Sequence, residues 1–294
     1  MDSSDKSQEN LILPDLDDAR LTRAVSGLDH TGARVEISVV EERPLTIYLN
    51  GNEIVTTMTI GDYPELLAIG FLHNQGMLQS YGDVEHVQFD DDLDVVSVRT
   101  HSKTRYDEKL AKKTRTSGCA VGTVFGDMME DLAGIELPAA PLKTSWLYAL
   151  SSKINQTPSL YLKAGAIHGT VLCEGDKPLI FMEDVGRHNA VDKVAGRMLV
   201  NGVPGADKVL YTTGRLTSEM VIKTALMGIP SLVSRSGFTA WGVEIAREVG
   251  LTVIGRLRGR RFVCLAGEVR LEYDADPAQV ADEAKKHRRK ASDG

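Results

Sequence analysis

The sequence predicts an α/β protein: a mainly parallel sheet covered by helices in the C-terminal half, preceded by a smaller α+β lobe. Two patterns predict it. After residue 205, three strands each lead through a Gly- and Arg-bearing loop into the next element, the order that specifies a parallel sheet under helices. Before residue 100, short alternating strands surround Asn50-Gly51, a two-residue hairpin signal because both turn positions tolerate positive φ.

The elements follow in order. Residues 1–20 are polar and acidic, and are expected to form a disordered tail. The α+β lobe is placed at 21–105. Val35, Ile37 and Val39 alternate, Leu45–Leu49 and Ile54–Ile60 flank the hairpin turn, and Asp62 is positioned to cap a helix with Pro64 in its first turn. Val84–Phe89 and Val95–Val98 form a second strand pair around Asp90-Asp91-Asp92. The segment 106–143 carries a cysteine loop and a short helix, with Val124, Met128 and Leu132 on one face before Pro138 and Pro141 break the chain. The α/β core is placed at 144–270. It opens with a helix bearing Trp146, Leu150 and Ile154, then strands Ala166–Leu172 and Leu179–Met182 around Glu174-Gly175-Asp176, then a helix from Arg187 to Leu199. The strands Val209–Thr212, Ser231–Val233 and Leu251–Ile254 follow, each with its loop, and Phe262–Leu265 is the last strand. A charged tail, 271–294, includes Lys285, Lys286, Arg288, Arg289 and Lys290.

Composition narrows the function. A net charge of -7 over 294 residues disfavours nucleic acid as a partner, since such proteins show a basic excess. Three cysteines without paired spacing, Cys119, Cys173 and Cys264, fit a reducing cytoplasm, and their scattered spacing with His168 and His188 does not suggest a metal site. No apolar run is long enough for a bilayer and no signal-like leader opens the chain, so a cytoplasmic protein that does not enter membranes is expected.

Three stretches carry chemistry. Cys119 lies between Gly118 and Gly122, just after Lys112, Lys113 and Arg115, and cations beside a thiol raise its thiolate fraction. The alternative is a small buried hydrophobe. Second, Arg215, Arg235 and the cluster Arg256-Leu257-Arg258-Gly259-Arg260-Arg261 each follow a strand beside a glycine, where α/β sheets bind ligands. Guanidinium forks with glycine-flanked amides suit an anion with several phosphates, and the absence of G-x-x-x-x-G-K-[ST] makes an ordinary P-loop hydrolase unfitting. Third, Glu183-Asp184-Val185-Gly186-Arg187-His188-Asn189-Ala190-Val191-Asp192-Lys193 crowds a strand-to-helix junction with charge. Two readings stay open: a buried network that fixes the helix start, or a ligand site in which His188 joins the arginines.

This last motif, with Thr213-Gly214-Arg215-Leu216-Thr217-Ser218-Glu219-Met220 and Gly250-Leu251-Thr252-Val253-Ile254-Gly255, resembles the formate dehydrogenase accessory sulfurtransferase family, FdhD. The resemblance implies a cytidine-deaminase-like three-layer core. It also implies a sulfur carrier that takes sulfur from a cysteine desulfurase as a persulfide and passes it to the bis(molybdopterin guanine dinucleotide) form of the molybdenum cofactor, the substrate, for formate dehydrogenase. On that basis Cys119 is the persulfide carrier, Arg256–Arg261 meet the cofactor, and a homodimer is expected. The family's reactive loop usually reads C-x-x-C, and here Gly122 stands at the second cysteine. That departure motivates the alternative of a cofactor-binding chaperone without persulfide chemistry. Deamination is rejected, because His168-Gly169-Thr170 lacks the required glutamate and no C-x-x-C is present.

Overall fold

The computed structural model describes residues 12–102, 132 and 134–278, so Cys119, Gly122 and the expected helix up to residue 131 lie outside the described residues. Two compact units are present: Met1–Ile135, Pro158–Thr170 and Ile180–Pro204 form the first, and Glu136–Thr157, Val171–Leu179 and Gly205–Gly294 the second. The units interleave in sequence. Pro158–Thr170 and Ile180–Pro204, expected within the α/β core, cluster instead with the N-terminal lobe.

In the first unit β1 (Thr22–Leu28) and β2 (Arg34–Val40) pair antiparallel as a ribbon of their own. A second sheet has the order β4-β3-β6-β5, built from β3 (Arg43–Leu49), β4 (Asn52–Thr59), β5 (Val84–Asp90) and β6 (Val95–Thr100). The β3–β4 turn is as expected, with Asn50 at φ 51° and Gly51 at φ 84°. Leu45, Ile47 and Leu49 alternate inward with Val96 and Val98 against Leu67, Ala68 and Leu72 of α1 (Pro64–Asn74). Each large aliphatic chain buried this way stabilises the fold by about 1.5–3 kcal/mol.

Helix α1 also packs on a later helix, residues Arg187–Asn201. Their backbones touch at two glycines: a Cβ on Gly70 would lie 1.8 Å from the Asp192 carbonyl oxygen, and one on Gly196 would lie 1.9 Å from that of Leu66. No side chain fits at either point.

The second unit opens with β7 (Leu142–Lys143) and α2 (Thr144–Gln156), and the chain returns to the first unit for α3 (Leu160–Ala164). The hairpin β8 (His168–Glu174) and β9 (Lys177–Asp184) belongs by its turn half, Val171–Leu179, to the second unit and by its open ends to the first. The helix Arg187–Asn201 is α4. Then come β10 (Lys208–Thr212), α5 (Ser218–Leu226), β11 (Ser231–Ser234), α6 (Ala240–Glu248), β12 (Thr252–Arg258), β13 (Arg261–Ala266) and β14 (Leu271–Glu272). Strand order is β13-β12-β11-β10-β8-β9. Pairing is parallel from β10 to β12, and β13 is antiparallel to β12. Every residue of β10 and β11 is buried, the continuous pattern of strands covered on both faces.

Two expectations need correction. Strand β12 does not end at Ile254 but runs on to Arg258, so Arg256, Leu257 and Arg258 are strand residues and Gly259-Arg260 is the turn of a hairpin. The expected loop and the last strand are thus one irregular hairpin, bulged between Gly255 and Arg258. Nor does Asp62 cap α1. The N-cap is Tyr63, held at φ 48° with no side-chain cap, because the Asp62 carboxylate is taken by Lys193.

Candidate functional site

The loops that follow β10 and β11 are tied to each other and to the bulged end of β12 inside the second unit. Ser234 Oγ donates to the Gly214 carbonyl at 2.6 Å and accepts the Ser236 amide at 2.9 Å, while Thr212 Oγ1 accepts the Gly214 amide at 3.1 Å. The Leu216 amide donates to the Gly237 carbonyl at 2.9 Å, the Thr239 amide to Leu216 at 3.0 Å, and the Arg256 amide to Ser236 at 2.7 Å. Gly255 is needed here, since a Cβ would sit 2.5 Å from the Phe238 ring. Arg256 then turns at φ 57°, a left-handed backbone that a non-glycine residue adopts only where its surroundings impose it.

These bonds bring Arg215, Arg235 and Arg256 onto one edge of the sheet. Arg215, Arg256, Arg258 and Arg261 are exposed and Arg235 is half-buried. Arg260, also half-buried, donates to the Pro277 carbonyl, and Leu257 is 1% exposed, so its side chain belongs to the core. Gly259 makes the hairpin turn at φ 58°. Two further features lie among these loops. Helix α5 starts from Thr217 without a side-chain cap, leaving its first-turn amides to another acceptor, and the buried Thr217 hydroxyl has no hydrogen-bond partner among the described residues. The fully buried Tyr211 hydroxyl, in β10, also has none among the described residues. Burial pushes this phenol up to about 12, against the pull of Arg235. Several guanidinium groups beside glycine-flanked amides have the chemistry that suits a multiply charged anion.

The charged motif has a different environment, in the first unit. Lys193 is fully buried between Asp62 and Asp184, the latter at 2.6 Å, and also donates to the Glu183 carbonyl at 3.1 Å. Asp184 accepts further from Thr59 Oγ1 at 2.5 Å and from Asn189 Nδ2 at 3.1 Å. Asn189 Nδ2 also reaches the Met58 carbonyl at 2.7 Å, and Asp192 accepts from Asn74 at 2.7 Å. Glu183 accepts the amides of Leu160 at 2.6 Å and Tyr161 at 3.2 Å, at the start of α3. Burial pushes the Glu183 carboxyl up, and the two aspartates keep Lys193 charged although burial opposes it. For Glu183, Asp184, Asn189, Asp192 and Lys193 the structure therefore shows a packed network joining β4, α1, α3, β9 and α4. His188 stands in the first turn of α4, half-buried, in the first unit. His168 opens β8, also half-buried.

Sequence reasoning missed Thr59, and it gave Asp62 the wrong task. Neither sits in a charged motif, and only the fold brings them to Lys193. Of the described thiols, Cys173 is fully buried and pushed far up by burial, while Cys264 is half-buried, points to the Ala266 carbonyl at 3.3 Å and is also pushed up. Neither is poised as a thiolate.

The sequence profile of the FdhD/NarQ family matches residues 40–272, from the start of the four-stranded lobe through the arginine loops. The chain belongs to the FdhD/NarQ family. Relatives named sulfur carrier protein FdhD include that of Bacillus subtilis, 32% identical over 233 residues that cover 78% of this chain and 88% of the relative. That of Listeria innocua is 30% identical over 251 residues, covering 82% and 94%. A crystal structure of a protein assigned as a formate dehydrogenase accessory protein, from Desulfotalea psychrophila, superposes with a TM-score of 0.70 at 26% identity, covering 86% of this chain and 99% of that one. The FdhD/NarQ match thus takes in both the Lys193 network and the arginine edge, whereas β1 and β2 precede it up to Val40. No helix of the described residues is long and apolar enough to cross a membrane.

Proposed function

We propose that this FdhD/NarQ protein is a cytoplasmic sulfur carrier for formate dehydrogenase, acting as a homodimer and built on a cytidine-deaminase-like core. The names of its relatives support the carrier role. Cys119 thiolate attacks the outer sulfur of a persulfide on a cysteine desulfurase; the new sulfur-sulfur bond forms on Cys119 as the donor's cysteine thiolate leaves. The carried sulfur then goes to the bis(guanine dinucleotide) molybdenum cofactor, the substrate: the Cys119 sulfur-sulfur bond would break with Cys119 leaving as thiolate, and the two electrons that take the sulfane sulfur to sulfide would come from the reduced metal of that substrate. Arg215, Arg235, Arg256, Arg258 and Arg261 hold its pyrophosphates, Gly259 lets the hairpin tip approach, and Arg260 and Leu257 set the hairpin's shape. The observation that carries this reading is the set of two strand-end loops and the bulged end of β12, laced by hydrogen bonds and bearing Arg215, Arg235 and Arg256 at one edge of the sheet.

Gly122 in place of a second cysteine favours one competing reading, a chaperone that binds the cofactor without sulfur chemistry. Complementation of formate dehydrogenase activity separates the two. The carrier reading expects both Cys119→Ala and Arg258→Ala to lose activity, and the chaperone reading expects Cys119→Ala to keep it. Retention of activity by Arg258→Ala together with Arg256→Gly contradicts both.

A further inference from the structure

Two neighbouring helices of the second unit start from the same residue type, yet only one of them is capped by it. Thr239, at φ -104° and ψ 150°, accepts the Gly242 amide on its hydroxyl at 3.2 Å and closes the start of α6. Thr217, at φ -93° and ψ 169°, has the same extended backbone but makes no such bond at the start of α5. Its hydroxyl is buried and has no hydrogen-bond partner among the described residues. The Ser218 and Met220 amides, in the first turn of this 9-residue helix, make no hydrogen bond to a described residue either. A loose loop is not the reason. Leu216 and Phe238 form a bridge, and a Cβ on Gly242 would lie 3.0 Å from the Thr217 carbonyl carbon, so α6 pins the segment in place.

Tyr211 is a second orphan at the same end of the sheet. It stands one residue before the end of β10, in register with Val233, and is 0% exposed, yet its hydroxyl has no partner among the described residues. Arg235, two residues beyond Val233, lies close enough to pull on the ionisation of the phenol against burial. Buried polar groups are hydrogen-bonded in the great majority of cases, and each exception costs about 1–3 kcal/mol. Among the described residues of the second unit only three buried side-chain oxygens are left without a partner, those of Ser151, Tyr211 and Thr217, and the last two flank the loop that carries Arg215. Donors kept open at that cost beside Arg215 and Arg235 call for an acceptor from outside the chain. A helix N-terminus favours an anion, and although the first turn of α5 also carries Glu219, the two guanidinium groups outnumber its carboxylate.

We infer that the start of α5 is a phosphate subsite. The Thr217 hydroxyl and the Ser218 and Met220 amides donate to one phosphate group, and the Tyr211 hydroxyl donates to the same ligand beside Arg235. The inference rests on the reading of the arginine edge as the seat of the cofactor's pyrophosphates, and adds to it two hydroxyls and a helix that fix where a phosphate sits. Exposed arginines attract from long stems; donors fixed to a strand and a helix start set position.

Titration calorimetry of the full chain tests it, with GDP, which carries a pyrophosphate on the cofactor's nucleoside, and with inorganic pyrophosphate as probes. Thr217→Val and Tyr211→Phe each remove one hydroxyl, and each is expected to weaken both probes about 3–10-fold, as loss of one hydrogen bond implies. Their thermal unfolding midpoints without ligand are expected to stay at or above that of wild type, because a buried hydroxyl with no partner among the described residues is gone. Ser151→Ala, which removes the third such hydroxyl, leaves both affinities unchanged. Wild type that binds neither probe overturns the arginine-edge reading and this subsite together. Arg258→Ala that loses affinity while Thr217→Val and Tyr211→Phe keep it overturns the subsite alone. So does a loss of affinity in those two accompanied by a lowered midpoint, which makes the hydroxyls parts of the fold. Loss for GDP alone puts them at the nucleoside, loss for pyrophosphate alone marks an adventitious ion only, and loss in Ser151→Ala removes their specificity; each of these also contradicts the subsite.

Discussion

At the scale of single residues, Lys193 and Arg256 show two ways in which this chain spends stability on position. Lys193 is a cation with no exposed surface, tolerable only because two carboxylates and a carbonyl surround it. Its replacement by methionine leaves Asp62 and Asp184 facing each other, and is expected to destabilise the first unit by about 3–5 kcal/mol in urea titrations. Glu183 behaves differently. Its folded-state pKa is raised, so its contribution is fully present below the unfolded value of about 4 and is lost as pH rises through the folded value. Glu183→Gln cannot titrate, and its one acceptor oxygen serves only one of the two amides, so it starts below wild type near that lower value and its stability relative to wild type is expected to rise as pH rises toward 8. Unfolding midpoints measured across that range check the sign. Arg256 carries a left-handed backbone that glycine adopts without strain. Arg256→Gly is therefore expected to fold normally yet bind GDP, a probe for half of the cofactor, at least ~10-fold more weakly, as loss of a charge-assisted contact implies.

Between elements, two glycine contacts decide geometry. Gly70→Ala forces a methyl into the Asp192 carbonyl and is expected to lower stability by at least about 1–3 kcal/mol in the same titrations. Gly255→Ala pushes against Phe238 and so against the loop after β11. It is expected to weaken GDP binding although no arginine is changed, and titration calorimetry reads that directly. The sequence already showed much of this level. Asn50-Gly51, the strands of the four-stranded sheet, α1, α4 and the sequence β10 to β12 are local patterns of period and turn chemistry, and they were legible as such. Strand β1 was not, because Thr22-Arg23-Ala24-Val25-Ser26-Gly27-Leu28 lacks a repeated apolar alternation and becomes a strand only beside β2. The extension of β12 past Ile254 was hidden by glycines and arginines that read as loop, since it depends on pairing with β13. Arg215 and Arg235 were legible as residues of the loops after β10 and β11, whereas Arg256 and Arg258 proved to lie within β12. The Lys193 network was only half legible, as Thr59 and Asp62 reach it through tertiary structure.

Over the whole molecule, the two units carry separate tasks. The first holds a buried charge network and an open ribbon; the second holds the laced loops with their arginines. The units interleave because the chain leaves the second for α3 and again for the end of β9 and α4, a path that no local pattern announces. Cys119, the proposed carrier, lies outside the described residues, so its assignment rests on the basic, glycine-flanked sequence around it and on the family to which the chain belongs. The claim that joins these parts is that Cys119 carries sulfur. Mass spectrometry of the intact protein after incubation with a cysteine desulfurase and cysteine tests it most directly. The account predicts one added sulfur atom, mapped to Cys119 and released by reductant; a protein that gains none there, although the desulfurase is turning over, contradicts it.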